Sequence, residues 1–163
     1  MELEPIGWVS SSRADSIDEA WDAVSATITL DERRFTPDAL LGLDAFSHVE
    51  VVYVFDRVEP TEIESGARHP RDNTSWPQVG ILAQRAKMRP NRLGVTVCRL
   101  LGVHGLTLSV EGLDAIDGTP VVDLKPYMTE FGARGDVHQP AWSHELMASY
   151  WGRHPSVAQE STE

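Results

Sequence analysis

The stretch VTVCRLLGVHGLTLSVEGL, residues 95–113, carries the clearest structural pattern in this chain. Two apolar runs, 95–103 and 106–113, flank His104-Gly105, and a two-residue connection that contains glycine is typical of a β-hairpin. Similar short runs recur on both sides of this hairpin, each bounded by turn residues, at 6–9, 24–30, 49–55, 79–83 and 121–124. Short strands at this spacing, with few helical patterns between them, predict a mainly β protein, either a barrel or a sandwich.

Helical signals are weaker. In the segment 16–23, Ser16 and Glu19 have the spacing of a capping box, which predicts one or two helical turns. Thr36 is followed by Pro37 at the first helical position, and this order is typical of a short helix.

The C-terminal residues 141–163 are expected to form a tail outside the barrel. Residues 143–151 are expected to form a terminal helix, and the polar residues 155–163 are expected to fray. We therefore expect a barrel domain at 1–140 and a tail with a short helix at 141–163.

The composition is that of an ordinary globular protein. With 163 residues, 41% apolar and 24% charged, the chain fits one domain with its own core. No apolar run approaches the roughly 20 residues of a membrane helix, and the first residues lack the pattern of a signal peptide. The single cysteine, Cys98, excludes an intrachain disulfide. We expect a cytoplasmic protein in which Cys98 is a buried, inert thiol.

Several common site motifs are missing from the sequence. No Gly-x-Gly-x-x-Gly follows a predicted strand and no Walker loop is present, so a Rossmann nucleotide site is not expected. The six histidines lack the spacing of a zinc site, so no metal is expected.

Charge is distributed unevenly along the chain. Between Arg68 and Arg99 lie seven of the 14 basic residues and one acid, Asp72, a net charge of +6. Because the whole chain carries −11, the remainder carries −17. The negative net charge of the whole chain argues against nucleic acid as a partner. The segment 68–99, called the positive island below, suits a phosphate or carboxylate ligand. The alternative is a solvated basic loop that pairs with acids elsewhere.

The positive island contains a stiffened loop. Pro90 fixes its own backbone and favours an extended Arg89, which presents guanidinium groups at low entropic cost. Arginine binds carboxylate or phosphate in a bidentate manner. Asn91 is either a turn residue or a donor and acceptor for a purine edge. Gly94 closes the loop.

An acidic, turn-rich stretch at 114–119, called the acidic turn below, follows the hairpin. Asp117 precedes Gly118, and Asp-Gly after a strand is a strong turn signal, so Asp117 taken alone is typical of a turn former. Lys125 either binds an anion or pairs with Asp123. A ligand that bears both charge signs would need this acidic turn and the cationic loop in one pocket.

Two histidines precede apolar runs or loops. His69 lies in His69-Pro70-Arg71 and has either a structural role or that of a base or hydrogen-bond donor near neutral pH. For His48, at the start of the run 49–55, packing and capping are favoured.

Five motifs in this order resemble the TsaA-like (TrmO) family over roughly residues 3–131. They are LDAFSH at 43–48, HPR at 69–71, AQR at 83–85, RPN at 89–91 with Gly94, and GLDAIDGTPVVDLKPY at 112–127. The resemblance implies a compact, non-Rossmann β-barrel of about seven short strands that binds S-adenosylmethionine near a homodimer interface. It also implies a methyltransferase that acts on the N6 nitrogen of threonylcarbamoyl-adenosine, next to the anticodon of threonine tRNA.

The resemblance further implies roles for individual residues. The implied cofactor-binding residues are Arg85, Arg89, Pro90, Asn91, Asp114, Asp117, Gly118, Thr119 and Lys125. The implied substrate-binding residues are His69, Arg71, Lys87 and Arg92. As a hypothesis, Tyr127, Asp117 or His69 is the catalytic residue that receives the proton or orients the acceptor.

The chain departs from the family pattern at three points. Gln84 replaces a usual threonine, Arg92-Leu93 replaces a more familiar Pro-Ile, and the further C-terminal domain of longer bacterial members is not expected. With −17 outside the basic segment, these departures leave two alternatives open. The same fold would methylate a small metabolite, or it would be a non-catalytic S-adenosylmethionine-binding module.

Overall fold

A computed structural model gives the structure of residues 2–152. These residues form eight strands and one α-helix, together with short 3-10 turns. The elements are β1 (Gly7–Ser11), β2 (Ser25–Leu30), β3 (His48–Val54), β4 (Ala67–Arg68), β5 (Val79–Gly80), β6 (Leu93–His104), β7 (Thr107–Glu111), β8 (Pro120–Pro126) and α1 (Ala141–Met147). The residues 155–163, expected to fray, lie outside the described part of the chain.

Six of the strands close into a barrel. Their order is β1-β2-β7-β6-β3-β8, β8 returns to β1, and each neighbouring pair is antiparallel. Strands β4 and β5 form a separate two-stranded sheet. Of the two predicted architectures, the structure shows the barrel and not the sandwich. The hairpin β6-β7 lies where it was predicted. The predicted run at 79–83 is strand only for its first two residues and continues as a 3-10 turn.

The barrel interior is filled by alternate residues of its strands. In β2, Ala26, Ile28 and Leu30 are buried, and in β7 so are Leu108 and Val110. This period of two is the pattern of a sheet with one face on a core. The core cluster also includes Cys98, and burial raises the pKa of its thiol. The prediction of a buried thiol is confirmed.

The two ends of the barrel are defined by strand β3. Near its C-terminal end, Tyr53 pairs with Gly94 of β6 on one side and with Val121 of β8 on the other. At its N-terminal end, Val49 pairs with Pro126. The chain therefore enters both β6 and β8 at the same end, which we call the Tyr53 end; the opposite one is the His48 end.

The predicted helix at 16–23 is wrong. Ala20 has a φ of 53°, which a right-handed helix does not allow. The N–H groups of residues 20–22 instead donate to the carbonyl groups of residues 149–151 at 3.0–3.2 Å. Because these donors are used by the C-terminal segment, no helical ladder can form between them.

Two other helix predictions hold in modified form. Pro37–Leu40 is a 3-10 helix with Thr36 as its N-cap, as predicted. The terminal helix begins two residues before the predicted 143 and ends at Met147 rather than at 151. Within residues 2–152, no helix has the length and apolar character needed to cross a membrane.

Candidate functional site at the Tyr53 end of the barrel

The cationic loop, residues 84–92, is anchored by a buried glutamine. Gln84 Nε2 donates to the carbonyls of Arg68, at 3.2 Å, and Val79, at 3.0 Å. At the other end of the loop, the Arg92 N–H donates to the Arg89 carbonyl at 2.9 Å and closes a tight turn. The loop is thus fixed at both ends, and its tip exposes Pro90 and Asn91.

Four cations of this loop contact neutral oxygen atoms. Arg85 donates to Val95 O at 2.5 Å, Lys87 to Ser16 Oγ at 3.1 Å, Arg89 to Gln84 O at 3.4 Å and Arg92 to Val58 O at 2.8 Å. None of the four lies within ion-pair distance of a carboxylate among residues 2–152. Their positive charge is therefore not neutralised by neighbouring side chains of the described chain.

The other three cations of the positive island have acidic partners. Arg68 pairs with Asp72 at 2.8 Å, Arg71 with Asp18 at 3.2 Å, and Arg99 with Asp22 at 3.1 Å and Glu111 at 2.8 Å. The interpretation of the island as a loop paired with acids thus holds for these three. It does not hold for the four cations of the cationic loop.

Asp114 is held by hydroxyl groups. Its Oδ1 accepts from the Tyr53 hydroxyl at 2.8 Å and from the Thr96 hydroxyl, and its Oδ2 accepts from the Tyr150 hydroxyl at 2.5 Å. No cationic side chain in the described part of the chain pairs with it. Hydroxyl donors replace lost hydration without cancelling the charge, so the carboxylate stays available to attract a cationic ligand.

Both tyrosines that contact Asp114 remain protonated. Burial, and then the negative charge of Asp114, raises the pKa of Tyr53 and of Tyr150 well above the ordinary phenol value. Each phenol therefore acts as a hydrogen-bond donor near neutral pH. Neither is suited to accept a proton in a reaction.

Asp117 shapes the turn that leads into β8. Its Oδ1 accepts from the Ser11 N–H at 3.0 Å, and its own N–H donates to the Arg13 carbonyl at 2.7 Å. The following Gly118 has a φ of 81°, which glycine adopts without strain. These contacts agree with a turn former; a catalytic role for Asp117 stays a prediction. Thr119 is buried beside it.

The cationic loop and the acidic turn meet at the Tyr53 end. Arg57 joins the acidic turn to the segment 13–18, because its guanidinium donates to Ala14 O at 3.0 Å and to Asp117 O at 2.8 Å. The same segment receives Lys87 through Ser16 and Arg71 through Asp18. The structure therefore places most of the predicted cofactor residues and three predicted substrate residues, Arg71, Lys87 and Arg92, around one end of the barrel.

Tyr127 and Lys125 lie towards the His48 end. The Tyr127 N–H donates to the His48 carbonyl at 3.0 Å, and the two rings are 6.5 Å apart. Strand β8, at ~3.3 Å per residue, separates Tyr127 from the acidic turn by roughly 20 Å. Lys125 pairs with Asp123, which raises the lysine pKa. Of the two alternatives for Lys125, the structure thus shows the ion pair.

His69 is oriented by a backbone carbonyl. Its Nδ1 lies 2.7 Å from the Trp76 carbonyl oxygen, and since that oxygen can only accept, Nδ1 is the donor. In the neutral ring, Nε2 then carries the lone pair that a base needs.

Four residues of the site were not predicted: Tyr53, Arg57, Thr96 and Tyr150. Tyr53 and Thr96 lie in apolar strands, where the sequence predicts core residues, and Tyr150 lies in the expected tail. Arg57 lies in the turn after β3, without a motif. Their roles arise from contacts between distant parts of the chain, for which a single sequence has no signal.

Two clefts lie elsewhere on the molecule. One of about 270 Å³ is lined by residues that include His48, Arg99 and Trp151, and one of about 370 Å³ by residues that include Trp8 and Leu106. Neither contains a predicted site residue. Among residues 2–152, no three His, Cys, Asp or Glu side chains are grouped as metal ligands.

Residues 2–152 thus form a closed antiparallel barrel whose Tyr53 end carries cations without an acidic partner in that range and a carboxylate held by hydroxyl groups. Residues 17–133 match the family model described as the tRNA-methyltransferase O N-terminal domain. This match covers more than half of the chain, which therefore belongs to that family, as the motifs indicated.

Named relatives agree with this assignment. The human tRNA (adenine(37)-N6)-methyltransferase is 35% identical over 102 residues, 63% of this chain and 23% of that protein. The Escherichia coli enzyme of the same name is 37% identical over 95 residues, 56% of this chain and 40% of that protein. A Pseudomonas aeruginosa protein, named as a candidate S-adenosylmethionine-dependent methyltransferase, is 37% identical over 63% of this chain and 42% of its own length.

A solved structure has the same fold. The crystal structure of TrmO from Pseudomonas aeruginosa matches with a TM-score of 0.69 and 30% identity, over 85% of this chain and 60% of that one. The chain spans less than half the length of the three curated relatives named above.

Proposed function

We propose that the protein is an S-adenosylmethionine-dependent methyltransferase that methylates the N6 nitrogen of threonylcarbamoyl-adenosine in a tRNA anticodon loop. The proposal includes a cytoplasmic homodimer whose barrel domain spans residues 1–140, followed by a tail at 141–163. Relatives named as tRNA (adenine(37)-N6)-methyltransferases support the acceptor, and the Pseudomonas relative supports the cofactor.

One structural observation carries this proposal. The cations of the loop 84–92 have no acidic partner among the described residues, and the Asp114 carboxylate has no cationic one, although both lie at the Tyr53 end. Unpaired groups of opposite sign at one site are what a zwitterionic cofactor requires. A purely structural loop and turn would be expected to pair with neighbouring charges.

The residue types present fit the cofactor. Arg85 and Arg89 would hold its carboxylate, Asp114 would attract its positive charge, and the exposed amide of Asn91 would contact the adenine. When bound, S-adenosylmethionine supplies an activated methyl group for in-line transfer.

The chain supplies candidates for handling the acceptor proton. His69 has an oriented ring with Nε2 as a possible base, and Asp117 carries a carboxylate at the site. Tyr53 and Tyr150 are poor candidates since their pKa values are raised. Tyr127 lies roughly 20 Å from the acidic turn, so it would act only if a second copy supplied it across a dimer interface.

Transfer of a labelled methyl group to tRNA tests the proposal. The protein is incubated with S-adenosylmethionine, labelled in its methyl group, and bulk tRNA that carries threonylcarbamoyl-adenosine. Nucleoside analysis is expected to find the label on the N6-methylated form of that nucleoside. Arg89→Ala is expected to lower kcat/KM at least about tenfold, because a charged hydrogen bond is lost.

Arg134→Ala is the matched control, since Arg134 is an exposed arginine outside the cationic loop. It is expected to keep near wild-type activity. Turnover on tRNA is also expected to fall steeply as salt rises, because cationic contacts to phosphate release counterions. Label on a small metabolite with little salt dependence, or no transfer despite cofactor binding, would overturn the tRNA assignment.

A further inference from the structure

The C-terminal segment 141–152 lies outside the residues that match the family model, 17–133, yet it contacts the site. Trp76 Nε1 donates to Glu145 Oε2 at 2.7 Å, which ties helix α1 to the loop that orients His69. Beyond the helix, the carbonyls of residues 149–151 accept the N–H groups of residues 20–22. The segment is therefore tied to the His69 loop by a side-chain contact and to residues 20–22 by backbone contacts.

Docking brings Tyr150 onto Asp114. Each carboxylate oxygen can accept about two hydrogen bonds. Among residues 2–152, Oδ1 accepts from Tyr53 and Thr96, whereas Oδ2 accepts from Tyr150 alone, at 2.5 Å. Tyr150 therefore fixes the orientation of Oδ2, which keeps one acceptor position for another donor.

Tyr150 also faces the predicted substrate side of the site. The Arg71 guanidinium carbon lies 6.0 Å from the centre of its ring, and Arg71 is in turn held by Asp18. One side chain of the tail thus lies between a residue predicted to bind the cofactor and a residue predicted to bind the acceptor.

We propose that Tyr150 is a positioning residue of this site, whose hydroxyl holds Asp114 in the orientation that receives the cationic part of the bound cofactor. The inference rests on the proposed function, since it names Asp114 as part of the cofactor site. If Tyr150 has this role, the tail is a component of the site, although it lies outside residues 17–133, which match the family model.

A double-mutant cycle on cofactor affinity tests the inference. The dissociation constant of S-adenosylmethionine is measured by calorimetry for the wild type, Tyr150→Phe, Asp114→Asn and the double variant. Tyr150→Phe keeps the ring and removes the hydroxyl, and it is expected to weaken binding about tenfold. In the Asp114→Asn background the same change is expected to have little further effect, because Tyr150 acts through Asp114.

Glu145→Ala serves as the control for docking. It removes the other side-chain tether of the segment, the bond to Trp76, and leaves the Tyr150 contact unchanged. It is expected to bind the cofactor within about twofold of the wild type, since the contact that is lost is exposed and does not involve Asp114. Equal weakening by Glu145→Ala and Tyr150→Phe, or additive effects in the cycle, would show that Tyr150 only docks the tail and would overturn its positioning role.

The result also separates this inference from the proposed function. If the wild type does not bind S-adenosylmethionine, the proposed function fails and the inference fails with it. If the wild type binds and Tyr150→Phe binds equally well, the inference alone is overturned.

Discussion

Gly94 shows how closely single residues are constrained at the Tyr53 end. A Cβ atom at this position would lie 2.3 Å from Tyr53 Cε2 and 2.8 Å from its hydroxyl oxygen. The ring cannot move aside freely, because its hydroxyl is hydrogen-bonded to Asp114 and the residue is buried.

We therefore expect Gly94→Ala to lower the free energy of unfolding by about 1–3 kcal/mol, the usual range for overpacking a core. Chemical denaturation measures this change. Gly80→Ala is the control, since nothing lies within 4 Å of an added Cβ and its φ is −58°. Similar stabilities of the two variants would contradict the close packing of Gly94 against Tyr53.

At the scale of elements, the cationic loop depends on its anchor to the sheet of β4 and β5. Gln84→Ala would leave the carbonyls of Arg68 and Val79 without their amide donor. We expect a loss of about 1–3 kcal/mol in unfolding free energy, because two part-buried acceptors lose their donor. We also expect weaker S-adenosylmethionine binding, since Arg85 and Arg89 follow Gln84 in the cationic loop and that end of the loop would no longer be fixed.

Gln78→Ala is matched to this variant. The Gln78 amide also donates to a carbonyl of β4, Ala67 O at 3.3 Å, but its side chain is exposed. Thermal unfolding and cofactor calorimetry on both variants measure the difference. A Gln78→Ala effect as large as that of Gln84→Ala would show that burial of the anchor is not what fixes the loop.

Elements are also the scale at which prediction from sequence succeeds and fails. The hairpin β6-β7 was predictable because its alternation and its turn are local. The segment 16–23 has a local capping signal, but its backbone donors pair with residues 149–151, more than 120 positions away. The environment of Asp114 was hidden for the same reason, since its donors come from β3, β6 and the tail.

At the scale of the whole molecule, the candidate residues divide between the two ends of the barrel. Arg89 and Asp114 lie at the Tyr53 end, and Tyr127 lies with His48 at the other. If Tyr127 serves the site, a second copy must supply it, and a twofold dimer is the simplest arrangement that does so.

Subunit complementation tests this arrangement. Arg89→Ala and Tyr127→Phe, each inactive alone in labelled methyl transfer, are mixed under conditions that allow subunits to exchange. In a mixed dimer one shared site carries both changes and the other carries neither. Random pairing is therefore expected to restore about one quarter of wild-type activity. Sedimentation equilibrium checks that each variant remains a dimer. A mixture that stays inactive although its subunits exchange would overturn the shared site, and a Tyr127→Phe variant that is fully active alone would show that Tyr127 has no part in the reaction.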